Sequence, residues 1–173
     1  MPTAGPRPAA SVACVIRTAT PDDVPDIVRL IRALADYQDH LDEARASEDD
    51  LRAALFPATA EPRVFAHVAQ VDGRVVGMAI WFPTFSTWTG RHGIWLEDLF
   101  VEAEHRGSGV GIGLLGALAR ECRAAGYPRL EWHVARWNEP SIAFYDALGA
   151  VDLDDQQTFR LSGEALTAMA GRA

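Results

Sequence analysis

The run Ile94-Trp95-Leu96-Glu97-Asp98-Leu99-Phe100-Val101 is followed, four residues later, by Arg106-Gly107-Ser108-Gly109-Val110-Gly111, and these two segments decide the fold. The first is mostly apolar and short, which predicts a strand. In the second, glycines let the backbone turn tightly and aim successive N–H groups at one spot. Leu114, Leu115, Leu118 and Cys122 then recur at helical spacing, so the turn, Arg106 to Gly113, opens a helix that Gly126 and Pro128 close. Strand, glycine turn and helix in that order make a nest for phosphate. The helix adds the positive end of its dipole, and Arg106 adds a fork of donors. Such a turn by itself also serves as an ordinary tight connection. This one lacks the Lys-Ser/Thr ending of a P-loop and the G-x-G-x-x-G order of a dinucleotide fingerprint.

Upstream, Val12 to Arg17 reads as a strand. Thr20, Pro21 and Asp23 announce a helix whose apolar stripe is Ile27, Leu30, Ile31 and Leu34. Ser47 and Asp50 announce a second, Leu51 to Phe56, ended by Pro57. Val64 to Val71 and Val75 to Phe82 flank Asp72-Gly73, a hairpin signal. A loop from Thr84 to His92, carrying Trp88, leads into the strand Ile94 to Val101. Downstream come a strand at Leu130 to Val134, a helix at Pro140 to Leu148, a strand at Thr158 to Leu161 and a helical tail from about Glu164. The order predicts one α/β domain over 12–173, a mixed central sheet flanked by helices, after a flexible Pro/Ala-rich tail at 1–11.

With 173 residues, 49% of them hydrophobic, the chain can bury a core without staples. A formal charge of −8 repels polyanions and argues against a nucleic-acid partner. No apolar run reaches the roughly 18 residues of a membrane span, and the Pro/Ala-rich start does not resemble a secretory signal. Cys14 and Cys122 show no metal-ligand spacing and read as core thiols, so we expect a cytoplasmic protein that binds no metal.

Arg-x-x-Gly-x-Gly after an apolar strand resembles the pyrophosphate-binding motif of the GNAT acetyltransferases. Leu96 to Val101, together with Trp137-Asn138-Glu139-Pro140-Ser141-Ile142-Ala143-Phe144-Tyr145, is similar to the spermidine/spermine and thialysine N-acetyltransferase branch. The resemblance runs from about Val15 to Ala170 and implies the GNAT acyl-CoA N-acyltransferase fold, with acetyl-CoA as donor and a small-molecule amine as acceptor. It implies that the strand before the turn splays from its neighbour, so that backbone groups of Leu99, Phe100 and Val101 meet the cofactor's pantetheine arm. The turn residues Arg106, Gly107, Ser108, Gly109, Val110, Gly111 and Ile112 would hold the diphosphate. Asn138 matches a cofactor-contacting Asn, and also suits the N-cap of the following helix.

Transfer to an amine needs its neutral form, yet an alkyl ammonium with a pKa near ~10.4 is almost wholly protonated at neutral pH. Glu97 matches the family carboxylate that accepts the proton, and an acid within an apolar strand is costly to bury unpaired. Tyr145 matches the tyrosine that protonates the leaving thiolate. Asp98, next along the strand, is expected on the opposite face in a structural role.

On the substrate side, Tyr37, Gln38, Glu131, Trp132, His133 and Gln157 fall at substrate-contacting positions of the polyamine branch, with Trp88 in a loop over the amine. Gln38 and Gln157 stand where polyamine enzymes carry carboxylates, which weakens the pull on a long polycation. A lysine analogue, another amino compound or a short diamine fits better. His133 reads as a core histidine or a second base. The resemblance also implies a homodimer paired through C-terminal regions. A catalytically idle acyl-CoA-binding sensor or scaffold is the alternative that the glycine turn alone would permit.

Overall fold

The computed structural model describes residues 14–153 and 157–172. The expected tail at 1–11 and Val12 lie outside them. By internal contacts the chain forms two compact units, one ending at His133 and the other beginning at Val134.

The first unit carries a sheet of five strands in the order β1-β2-β3-β4-β5: β1 (Cys14–Thr18), β2 (Phe65–Val71), β3 (Arg74–Ser86), β4 (Arg91–Val101) and β5 (Leu130–Trp132). Neighbours are antiparallel except β4 and β5, which are parallel, so the sheet is mixed as expected. Between β1 and β2 lie α1 (Val24–Tyr37) and α2 (Glu48–Leu55), and α3 (Val110–Ala125) crosses from β4 to β5.

Helices cover both faces of the sheet, which is why β2 and β3 read as near-continuous apolar runs rather than alternating ones. On one face Ile27 and Leu30 of α1 and Leu55 of α2 pack with Val68, Met78, Ile80 and Phe100. On the other, α3 brings Leu114 so close to β3 that a Cβ on Gly77 would lie 3.3 Å from its Cδ1. Asp72 and Gly73 both adopt positive φ, 49° and 83°, as a two-residue turn between twisted strands demands.

Both helix-start signals hold. Asp50 accepts from the Ser47 backbone N–H at 2.9 Å while Ser47 Oγ accepts from the Asp50 N–H at 3.2 Å. This box starts α2 at Glu48, earlier than its first apolar residue suggested, because capping rather than the apolar stripe sets a helix start. Asp23 accepts from the Thr20 backbone N–H at 2.7 Å and also takes both arms of Arg17, at 2.6 and 2.7 Å, tying α1 to β1. The Arg17 guanidinium holds the buried Asp23 carboxyl down at about 2, below the ordinary 3.8. A lowered folded pKa means stability present above the ordinary value and lost as pH falls toward 2. Asp23→Asn should therefore cost about 1–3 kcal/mol at neutral pH, the order that a carboxyl held at about 2 rather than 3.8 represents. Urea titrations should show the gap between wild type and variant closing between pH 4 and 2, and a pH-independent gap would refute the assignment.

Several boundaries move. β3 and β4 extend past Phe82 and before Ile94, so most of the expected loop from Thr84 to His92 is paired strand and only 87–90 turn. Pairing continues because both strands keep a partner, whatever their polarity. Helix α3 begins at Val110 inside the expected turn, and β5 stops at Trp132. Cys14 is exposed at the start of the edge strand β1, so only Cys122 is a core thiol.

The second unit contains α4 (Glu139–Ala147) and α5 (Gly163–Ala170). The expected strand at Thr158 to Leu161 is not formed: 157–161 is irregular and exposed throughout. A strand needs an edge to bond with, and no described strand pairs with this one.

Candidate active site

The pairing of β4 with β5 joins Ile94 to Leu130, Trp95 to Glu131 and Leu96 to Trp132, and ends there. Beyond Leu96 the strand keeps β3 on one side and has no described strand on the other. A backbone edge thus opens along Leu99, Phe100 and Val101. The side chains of Phe100 and Val101 are buried and that of Leu99 half-buried, so this segment offers an incoming molecule backbone groups, apart from the Val101 carbonyl, which Arg106 takes.

At the same place β4 carries a bulge. Trp81 faces Leu96 and Ile80 faces Asp98, which leaves Glu97 as an extra residue. The bulge corrects the expectation for Asp98. Asp98 stands opposite Ile80 and two residues before Phe100, both part of the core beneath α1. Glu97 accepts from Trp95 Nε1 at 2.9 Å, and Trp95 stands opposite Phe82, two residues on from Ile80. Both carboxylates therefore lie on one face, because the extra residue cancels the alternation. Glu97 is exposed, so it carries no burial penalty; Asp98 is the half-buried one. Burial, aided by the neighbouring Glu97 charge, pushes the Asp98 carboxyl up to about 6. The Glu-Asp doublet was visible in the sequence, but the bulge that unites it was not.

The glycine turn has the expected build. Gly107 and Gly109 sit at φ 73° and 90° with open space where a Cβ would project, Gly109 caps α3, and Ser108 Oγ donates to the His105 carbonyl at 2.6 Å. Val110 is buried in the first turn of α3, Gly111 follows half-buried and Ile112 is exposed. Arg106 is braced: its Nε donates to the Val101 carbonyl at 2.9 Å, and its guanidinium lies 4.8 Å from the Tyr37 ring centre and 5.5 Å from that of Phe100. Among the described residues the Nη groups are the donors left to meet an anion. Tyr37, expected at a substrate-contacting position, shares a cation–π contact with this turn. Gln38 is the C-cap of α1, half-buried.

Around β5, Glu131 pairs with Arg129, Nε to carboxylate at 2.6 Å, and Trp132 is half-buried. His133 is exposed and meets Trp95 edge-on at 4.6 Å, so it is not a core histidine. Trp88 sits on the hairpin tip, 97% exposed, and covers nothing among the described residues. Arg129 was missed. Its opposite charge two residues before Glu131, at the entry to β5, was the available signal.

In the second unit Asn138 is buried and caps α4, its Oδ1 accepting from the Ser141 N–H at 3.4 Å. Tyr145 is half-buried on α4 with its ring 5.2 Å from that of Phe144, and burial pushes its phenol above the ordinary value. Gln157 is exposed in irregular chain. Among the described residues there is no cluster able to hold a metal ion and no helix long and apolar enough to cross a membrane.

The acetyltransferase (GNAT) family model matches residues 29–150. A thialysine N-epsilon-acetyltransferase of Bos taurus is 36% identical over 167 residues, covering 91% of this chain and 98% of the relative. An L-ornithine N5-acetyltransferase of Arabidopsis thaliana is 28% identical, covering 89% and 86%. An integron cassette protein from the mobile metagenome of V. cholerae has a structure that superposes with a TM-score of 0.75 at 26% identity, covering 91% and 97%. An open β4 edge running into a glycine nest, on a sheet of this order and with these relatives, has one consistent identity: the chain belongs to the GNAT acetyltransferase family and is an N-acetyltransferase.

Proposed function

We propose that the protein moves an acetyl group from acetyl-CoA directly to the primary amine of a small molecule, a lysine analogue, another amino compound or a diamine. The observation that carries it is the parting of β4 from β5 after Leu96, at the bulged Glu97 and just ahead of the glycine nest. The open backbone edge and the uncrowded Gly107 and Gly109 suit a long cofactor ending in a diphosphate. Acetyl-CoA supplies an activated thioester. Leu99, Phe100 and Val101 would align it through backbone groups, the residues from Arg106 to Ile112 would hold its diphosphate, and Asn138 would contact it besides capping α4.

The side chains then have proton work to do. An ammonium gives up two protons in becoming an amide, one to the departing sulfur and one to solvent. Glu97, exposed and oriented by Trp95, accepts the proton bound for solvent, with Asp98 beside it on the same face, and the other balances the one that Tyr145 gives to the sulfur. Tyr145 holds a proton on Oη for the sulfur. Its raised pKa keeps that proton in place at neutral pH. Thiol release from acetyl-CoA against polyamines, lysine analogues and amine antibiotics tests the proposal. Amine-dependent release supports it; saturable cofactor binding without release would favour the idle sensor.

We further propose that the domain runs from residue 12 and forms a cytoplasmic homodimer through its C-terminal part. Leu148, Val151, Leu153, Phe159, Leu161 and Met169 are all exposed there, and apolar side chains of this kind suit an interface. A second copy is the simplest cover. Sedimentation at micromolar concentration should give twice the chain mass, and a monomer would overturn the proposal.

A further inference from the structure

Residues two apart on a strand share a face, as do residues directly opposite on paired strands. By the register, Thr84 faces Gly93, Phe82 faces Trp95, and Trp95 faces Glu131. Thr84 and Gly93 thus form one row, with Arg129, just before β5, lying across Gly93, and Phe82, Trp95 and Glu131 form the next. Beyond it Glu97 is tied to Trp95 by its hydrogen bond and His133 meets the Trp95 ring. The contacts agree. Arg129 lies across Gly93, where an added Cβ would come within 2.7 Å of its Cγ, donates from Nη2 to Thr84 Oγ1 at 3.4 Å, and donates from Nε to Glu131 at 2.6 Å. Both charged side chains are partly buried, 25% and 34% exposed, and Nη1 has no partner among the described residues.

A guanidinium beside a carboxylate is the complement of a zwitterion: one takes a carboxylate, the other an ammonium. Glu131 is one row from Glu97, about 7 Å along the strand, and the Arg129 guanidinium reaches Glu131 from the row beyond. An amine four or five single bonds from an α-carbon stands about 5–6 Å away from it. With the side-chain amine at Glu97, the α-ammonium reaches Glu131 and the α-carboxylate reaches Arg129. A polyamine, cationic at both ends, would instead bring an ammonium against the guanidinium.

We infer that Arg129 and Glu131 form a head-group clamp that selects amines borne on the side chain of an α-amino acid, an inference that rests on the acetyl-transfer function proposed above. Gly93 is part of the device, since any side chain there would push Arg129 off the strand.

The test compares each amino acid with its decarboxylated counterpart: L-lysine against cadaverine and L-ornithine against putrescine, with lysine amide as a further probe. Wild type should favour the amino acid over the diamine by about tenfold or more in kcat/KM, with the amide between them. In Arg129→Gln this ratio should fall by about 10- to 100-fold, through KM rather than kcat, because the head group is bound equally in ground and transition states. Gly93→Ala, which removes no charge, should lower the ratio in the same direction. A wild type that prefers the diamines overturns the clamp whatever the variants do. So does an unchanged ratio in Arg129→Gln that melts like wild type. If amino acids are refused while other amines are acetylated, the clamp falls and acetyl transfer stands; if no amine is acetylated, transfer itself fails and the clamp falls with it.

Discussion

Gly109→Trp should reduce acetyl-CoA binding below detection by calorimetry while the protein remains folded. Gly109 is the residue from which α3 starts, and the space above it is open, so an indole there fills the nest from the surface instead of invading the core. At φ 90° any side chain is also strained, which costs of order 1–3 kcal/mol. That is a fraction of the stability of an ordinary domain, about 5–15 kcal/mol. Gly109→Ala separates the two effects, since it carries the strain without the bulk. It should melt at a lower temperature and still bind. Undiminished affinity in folded Gly109→Trp would mean that the diphosphate is held elsewhere.

Tyr145→Phe should lower kcat by roughly 100-fold or more with little change in acetyl-CoA affinity, because it deletes one hydroxyl and keeps the ring beside Phe144. A thiolate with a pKa near ~8.5 leaves without help, only slowly, so residual turnover should persist and should rise with a more acidic leaving thiol. Glu97→Gln should respond differently. Raising the pH supplies the neutral amine that Glu97 helps to generate, so its deficit should shrink at alkaline pH while that of Tyr145→Phe does not. The loss will be incomplete at neutral pH, where Asp98 remains beside the site as a second acceptor. Removing the Glu97 charge lowers the pKa of Asp98, leaving it more fully ionised but a weaker base. Wild-type turnover by Tyr145→Phe, with no pre-steady-state burst to hide the chemical step, would remove the general-acid role.

Local chemistry was legible in the sequence because it depends on neighbours along the chain. The Thr20 to Asp23 and Ser47 to Asp50 boxes, the Asp72-Gly73 turn and the glycine turn into α3 each close within a few residues, and each is present. The apolar runs likewise marked β2, β3 and β4, since burial on both faces leaves no room for polar residues. Pairing was not legible. It depends on what lies across the sheet, so the extension of β3 and β4 toward the hairpin tip and the missing strand at Thr158 to Leu161 both escaped. The same reason governs the site. One extra residue at Glu97 turns two consecutive carboxylates onto a single face, and register sets Glu131 in the row next to Glu97, where Arg129 reaches it from the row beyond. The sequence by itself determined the family, the glycine nest and the chemical types of the candidate residues, because those are written in contiguous motifs. Only the tertiary structure decided which charges share a face, which are buried and which are braced, because strand register is set by the packing of the whole sheet.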